Sequence, residues 1–329
     1  MAGGEDPTVL EALDAFRSRP LVHTDEARRV PRRRHPGRSV AVLEGRSASG
    51  GTWDLFRYPG VRSDSDMYTL GYRFRPWTEG EAIADGPSIL RYIRATAEEA
   101  GIVAKIRFGH VVRRADWSSA AACWIVAGER LEDGAPVHWR ARFLQVCSGY
   151  YRYDRGYRPE FAGEAEFTGP VVSPQFWPEE LDVAGKRIVV IGSGATAVTL
   201  VPALAATAAH VTMLQRSPSY VVSRPRRDRI AQALRRALPE GLAYAITRWK
   251  NVLVGAFYYR LARRRPEQVK SRIVAMAAEL SKGTVANIVQ VTQAPIQFAD
   301  QGNDPKLRED PATKDIDEIT LSYTFYPVE

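Results

Sequence analysis

The sequence predicts an α/β fold built on parallel strands. Two observations predict it: a strand–glycine turn–helix–strand run across 186–220, and a further short strand at 39–44 that ends in an acid. In the first, Ile188-Val189-Val190-Ile191 is an apolar run long enough for one buried parallel strand. A tight turn follows, Gly192-Ser193-Gly194-Ala195-Thr196-Ala197, then an alanine-rich segment from Val198 to Ala208 with helical composition. Val211-Thr212-Met213-Leu214 forms the second strand and ends at Gln215-Arg216.

The order of these parts is the dinucleotide-binding signature. Gly192 permits the sharp exit from the strand. Gly194 lets the backbone approach a pyrophosphate, and Ala197 lets helix and strand pack closely. Ser193, Ala195 and Thr196 complete the turn, and the helix N-terminus offers free N–H groups to phosphate. An acid at the end of the second strand would bind a ribose 2′-hydroxyl. Arg216 stands there instead and suits a 2′-phosphate, which favours NADP over NAD.

Composition narrows the class. A chain of 329 residues, 45% hydrophobic, suffices for two domains or one large one. No apolar run approaches the ~18 residues of a membrane span. The start, MAGGEDPTVLEALDAF, lacks the apolar segment of a secretory signal, so a cytoplasmic protein is expected. Cys123 and Cys147 have neither metal-ligand nor redox-pair spacing, and the histidines are scattered, so no metal site is predicted. The net charge of +8 is mainly arginine, clustered at Arg32-Arg33-Arg34, Arg224–Arg229, Arg235-Arg236 and Arg263-Arg264-Arg265. No nucleic-acid motif accompanies these clusters. They read as solvated faces plus one phosphate-binding patch, with no nucleic-acid partner. The oligomeric state is left open.

Residues 1–36 read as irregular, with one short helix over Leu10–Phe16 and with Pro31 and Pro36 against a continuous one. SVAVLE then ends at Glu44, an acid where a dinucleotide ribose asks for one. Gly50-Gly51-Thr52-Trp53 follows, again allowing close backbone approach to a large ligand.

The stretch EGRSASGGTWDLFRYPGVRSDSDMYTLGYRF resembles the FAD-binding region of the class B flavin monooxygenases, the flavin-containing and Baeyer–Villiger enzymes. The resemblance runs through PSILRYIRATAEEAGI as a helix, IRFGHVVRRADWSSAAACWIVAGE as strands, the FLQVCSGYYRYDRGYRPEFAG crossover and GSGATA. It covers roughly residues 36–280. It implies an incomplete pair of dinucleotide-binding, Rossmann-like domains, one FAD-type and one NADP-type. By that resemblance Glu44 holds the FAD ribose, and Gly51, Thr52 and Trp53 approach the flavin's phosphate and rings. Asp64 is the aspartate that helps place an active-site arginine, and is the catalytic candidate. Tyr68 lines the flavin pocket; Gly192, Gly194, Ala197 and Arg216 hold NADP. The implied activity uses NADPH to reduce FAD and O2 to form a flavin C4a-(hydro)peroxide. One oxygen atom then passes to a small organic substrate, a ketone or a soft nitrogen or sulfur.

Three departures stand beside the resemblance. The family's first glycine loop should lie roughly 20 residues before Glu44, yet before Gly37 the only glycines are Gly3 and Gly4. In the linker pattern FxGxxxHxxxW, Phe167, Gly169 and Trp177 are in register but Ser173 stands at the histidine. Past Ser281 the chain diverges, and its last 25–30 residues or so resemble the end of the copper-delivery proteins of cytochrome c oxidase assembly, without their cysteine pair. Ile319, Leu321, Tyr323 and Phe325 alternate as a final strand.

The organisation expected is an irregular segment 1–36, a partial FAD domain 37–165 and an NADP domain 166–235. A helical segment 236–282 and a tail 283–329 ending in a strand follow. A gene fusion or shifted reading frame would account for the ends. The monooxygenase would be inactive if truncated; the alternatives are a non-catalytic remnant that binds NADP but not FAD, and a basic anion-binding scaffold.

Overall fold

The computed structural model describes residues 39–149, 151–156, 158–159, 161, 163–215, 222, 224–281, 289–293 and 321–323. The helix expected over Leu10–Phe16 lies outside the described residues. The fold is α/β, and it divides into two compact units that interleave along the chain. The first unit draws together the described residues up to Arg57, Ser65–Gly156 and Arg226–Asn251. The second holds Tyr58–Asp64, Tyr157–Pro225 and the described residues from Val252 onward.

In the first unit, β1 (Val42–Glu44) and β2 (Ile106–Phe108) pair in parallel, Val42 against Ile106 and Glu44 against Phe108. A parallel pair needs a crossover, and this one carries α1 (Thr52–Leu55), α2 (Met67–Leu70) and α3 (Gly86–Glu99). Asp85 starts α3: its carboxylate accepts from the Ser88 N–H at 2.7 Å, and Pro87 fills the first turn. Ile89, Tyr92, Ile93, Thr96 and Ala97 follow helical spacing and are buried on one face. Ile89, Tyr92, Ile93 and Ala97 join Val42, Met67, Tyr72 and Trp77 in the main core. The Tyr92 hydroxyl accepts from the Tyr72 N–H at 2.8 Å and donates to the Arg75 carbonyl.

An antiparallel sheet in the order β3 (His110–Ser118), β4 (Cys123–Arg130), β5 (Pro136–Ala141) completes the strands of this unit. The β3–β4 register shifts between Val112 and Arg114. Gly128 makes that shift possible, because a Cβ there would lie 2.2 Å from the Val111 carbonyl oxygen. Leu43 of β1 packs with Val126 and Ala141.

Helix α5 (Arg229–Ala237) and the first half of α6 (Glu240–Arg264) also belong to this unit. Arg248 of α6 donates through one Nη1 to the carbonyls of Tyr68 at 2.9 Å and Thr69 at 3.0 Å. Asn251 donates to Oδ1 of Asp66 at 2.9 Å, the same carboxylate that caps α2.

In the second unit the sheet order is β6 (Arg187–Ile191), β7 (His210–Gln215), β8 (Val289–Gln293), β9 (Leu321–Tyr323). The first three strands run parallel and β9 is antiparallel to β8. Helix α4 (Ala195–Ala205) crosses from β6 to β7. It begins three residues before the expected Val198, because the Val198 N–H already reaches the Gly194 carbonyl at 3.0 Å. Ala197, Leu200, Val201 and Leu204 are buried, as are Val190, Val211 and Met213 of the sheet. On β6, Val189 and Ile191 stay exposed at 61% and 53%. The second half of α6 and α7 (Pro266–Ser281) complete the described helices.

Candidate functional site

In the first unit the candidate residues gather around the end of β1. Glu44 is 2% exposed. Its Oε1 accepts from the Arg46 N–H at 2.9 Å, while its Oε2 is buried with no hydrogen-bond partner among the described residues. A buried carboxylate oxygen left unpaired is costly, so this oxygen points to a ligand hydroxyl.

Gly50 and Gly51 follow, at φ 117° and 51°. A Cβ on Gly50 would stand 2.2 Å from Cδ1 of Leu90, so both backbone angle and space demand glycine there. Gly51 is the residue from which α1 starts, and Thr52 and Trp53 are its first two residues. The Thr52 and Tyr153 hydroxyls meet at 3.1 Å, and Trp53 packs against the main core.

This turn is held by residues that motif reading did not single out. Asp54 is buried and accepts from Arg46 at 2.7 Å and Arg94 at 2.6 Å, with Arg57 at 3.9 Å. Arg46 also donates to the Gly51 carbonyl at 3.0 Å and lies over the Tyr153 ring at 5.7 Å. Arg94 reaches the Ser49 carbonyl at 3.1 Å. Three guanidiniums around one carboxylate leave an excess of positive charge beside Gly50–Gly51, which suits an anionic group. The signal in the sequence was the pairing of EGR with GGTWD, an arginine and an aspartate flanking the glycine turn.

Tyr68 is 1% exposed, inside α2. Burial pushes its phenol pKa up, opposed by the nearby Arg235 guanidinium, to which the hydroxyl does not complete a hydrogen bond. Asp64 is exposed and belongs to the second unit. Desolvation by neighbouring protein raises its carboxyl pKa, against the pull of Arg62.

In the second unit β6 ends at Ile191, and Gly192 turns the chain at φ 123° while its N–H reaches the Leu214 carbonyl at 2.7 Å. Ser193 and Gly194 lead into α4, whose first turn holds Ala195, Thr196 and the buried Ala197. Gly194 has an ordinary φ of −77°, and no heavy atom lies within 4 Å of where its Cβ would stand. Among the described residues, neither backbone angle nor packing demands glycine there. Arg216 lies outside the described residues.

One more glycine supports this turn. Gly60, at φ 82° in the RYPG stretch, sits so close to α4 that a Cβ would be 2.5 Å from the Thr199 carbonyl oxygen. Thr199 and Tyr58 join their hydroxyls at 3.4 Å. In the linker, Ser173 precedes a short 3-10 turn, Pro174–Phe176, and the Phe176 N–H returns to its carbonyl at 3.0 Å. Among the described residues no group of histidine, cysteine and acids could hold a metal ion, and no helix is long and apolar enough to cross a membrane.

Known proteins resemble this chain in sequence and in fold. "FAD-containing monooxygenase EthA" of Mycobacterium tuberculosis is 56% identical over 244 residues, which are 74% of this chain and 50% of that protein. The chain therefore spans about half the length of the curated relatives it matches. Among solved structures, an oxidized steroid monooxygenase bound to NADP is 30% identical at a TM-score of 0.54, covering 65% of this chain and 39% of that one. Cyclohexanone monooxygenase from Rhodococcus sp. Phi1 bound to NADP+ is 26% identical at a TM-score of 0.55, covering 67% and 40%. The profile described as "FMO-like: Flavin-binding monooxygenase-like" matches residues 83–326, so family likeness continues past Ser281 into the tail. On these grounds the chain belongs to the flavin-binding monooxygenase-like family.

Proposed function

We propose that the chain carries the FAD and NADPH sites of a monooxygenase that transfers one oxygen atom from O2 to a ketone or a soft nitrogen or sulfur. The carrying observation is the unpaired, buried Oε2 of Glu44, beside a glycine turn ringed by guanidiniums. It fits a ribose hydroxyl, and the turn fits the remainder of an FAD. The open position at Gly194 fits the pyrophosphate of NADP. The names of the relatives, one FAD-containing and others bound to NADP, support the same pair of cofactors.

When bound, the two cofactors supply the hydride transfer and the oxygen activation. The residues of this chain bind and orient. Glu44 accepts from the ribose, and Asp54 fixes Arg46 and Arg94 so that the Gly50–Gly51 backbone keeps its shape. The N-terminus of α4 directs its free N–H groups at phosphate, and Arg216 is assigned to the 2′-phosphate. Tyr68 closes the flavin side against water, and Asp64 is assigned to placing the reactive arginine. We assign the FAD-type role to the first unit and the NADP-type role to the second, in cytoplasmic surroundings.

A second reading, an NADP-binding protein without oxygenation, is favoured by one feature: no glycine loop precedes β1 in the sequence. One preparation separates the two. A bound-flavin absorbance spectrum, with NADPH oxidation stimulated by a ketone or thioether, is expected of the monooxygenase. NADPH binding with no flavin retained, even after reconstitution with free FAD, would leave only the second reading.

A further inference from the structure

Among the described residues, a contiguous exposed apolar surface lies on the second half of α6. Leu253, Phe257, Tyr258 and Tyr259 are 60–67% exposed, and Val252 and Val254 are exposed as well. From Val252 through Tyr259 no residue is charged. Directly after it come Arg260, Arg263, Arg264, Arg265, Lys270 and Arg272, all exposed, against one acid, Glu267. Leu253, Phe257, Arg260 and Arg264 follow one another at helical spacing, so a single stripe passes from apolar to cationic.

Such a surface needs an occupant, because contiguous exposed apolar patches mark interaction sites. Charge decides which. A second copy pairing through this helix would crowd its own guanidiniums together, and residues 240–272 offer only Glu240 and Glu267 to offset them. The complement of this surface is apolar in one layer and anionic in the next. Tyrosine and phenylalanine sit well at a lipid headgroup boundary, and long arginine side chains reach from it to phosphates. The apolar run is too short to span a bilayer, so the contact is peripheral.

We propose that Val252–Arg272 is a docking surface for an anionic lipid bilayer, with Leu253 and Phe257 entering the acyl boundary and the Arg260–Arg265 cluster pairing with lipid phosphates. The inference is independent of the cofactor assignment above.

Vesicle co-flotation of the full chain tests it, since flotation separates lipid binding from aggregation. The wild type is expected to float with phosphatidylglycerol vesicles at low salt, to stay down with pure phosphatidylcholine, and to be released at high salt. Changing Arg260, Arg263, Arg264 and Arg265 together to Gln should lower partition onto phosphatidylglycerol by about 100-fold or more. Leu253→Ser with Phe257→Ser should lower it about 10-fold or more. These side chains are exposed, so both variants should keep the wild-type circular dichroism. A wild type that does not float with phosphatidylglycerol, or an arginine variant that floats as well as wild type, overturns the proposal. So does a wild-type dimer that Phe257→Ser dissociates without any flotation, which would make a second copy the occupant.

Discussion

Arg46 reaches back across the Gly50–Gly51 turn and donates to the buried carboxylate of Asp54 at 2.7 Å. That one bond ties the loop after β1 to the first turn of α1, and Arg94 of α3 completes the clamp from the other side. Asp54→Ala would leave two guanidiniums facing each other without their counter-charge. Fully buried pairs broken in this way cost about 3–5 kcal/mol. Because Arg46 and Arg94 reach solvent, a loss of about 2 kcal/mol is expected here. Urea unfolding of Asp54→Ala against wild type measures it.

Glu44→Gln should move stability and ligand binding in opposite directions. Without ligand, the wild-type carboxylate holds a buried unpaired oxygen, so the neutral amide is expected to melt no lower than wild type. With FAD, a charge-assisted hydrogen bond worth about 1.5–3 kcal/mol is weakened, so affinity should fall about 10- to 100-fold. Thermal melts paired with flavin-release measurements check both signs.

Gly194→Ala isolates the cradle from the fold. The backbone angle is ordinary and the space is open, so stability should change by less than about 0.5 kcal/mol. NADP affinity should nevertheless fall about 10-fold or more, because a methyl group then stands where the pyrophosphate approaches. Isothermal titration with NADP, alongside a melt, distinguishes this outcome from simple unfolding.

Gly60→Ala should do the reverse and destabilise first. A left-handed angle of 82° costs an L-residue about 1–2 kcal/mol, and the added Cβ would press on the Thr199 carbonyl. Together they should lower stability by about 2 kcal/mol or more and loosen α4 enough to weaken NADP binding. Denaturant titration and an NADP titration on one sample report the two effects.

Asp228 sets a pH dependence. Burial pulls its carboxyl upward, but the Lys250 ammonium at 2.5 Å and the Ala231 N–H at 2.9 Å outweigh it, so its pKa is held below the usual carboxylate value. A pKa lowered by folding gives stability that is present above the unfolded-state value and is lost as pH falls through the folded one. Asp228→Ala should therefore cost about 1–2 kcal/mol near neutral pH, as a lost helix cap and ion pair. The gap between variant and wild type should narrow progressively below about pH 4. Unfolding curves at several pH values read the convergence.

Strong periodicity made the βαβ unit legible in the sequence: β6, α4 and β7 fall where the apolar runs and the glycine turn place them. Helix α3 was legible through the family resemblance of PSILRYIRATAEEAGI. Strand β5 was not, because PVHWRA is only six residues long and opens on a proline, so the alternation of Val137, Trp139 and Ala141 with His138 and Arg140 is a short signal. Strand β8 was hidden in a segment whose partner, β7, lies far away in sequence. At the site, the glycines and Glu44 announced themselves by type and spacing. The Asp54 clamp did not, since Arg94 approaches from 40 residues away and only folding brings it near. Gly60 was visible as part of RYPG, but its need for glycine comes from a helix more than a hundred residues later.

Strand β6 pairs, among the described residues, only with β7, and it presents Val189 and Ile191 to solvent. A bare border of that kind welcomes an incoming chain as readily as a native neighbour. Concentrating the protein, as for crystallisation, is therefore expected to favour strand-to-strand association along this border.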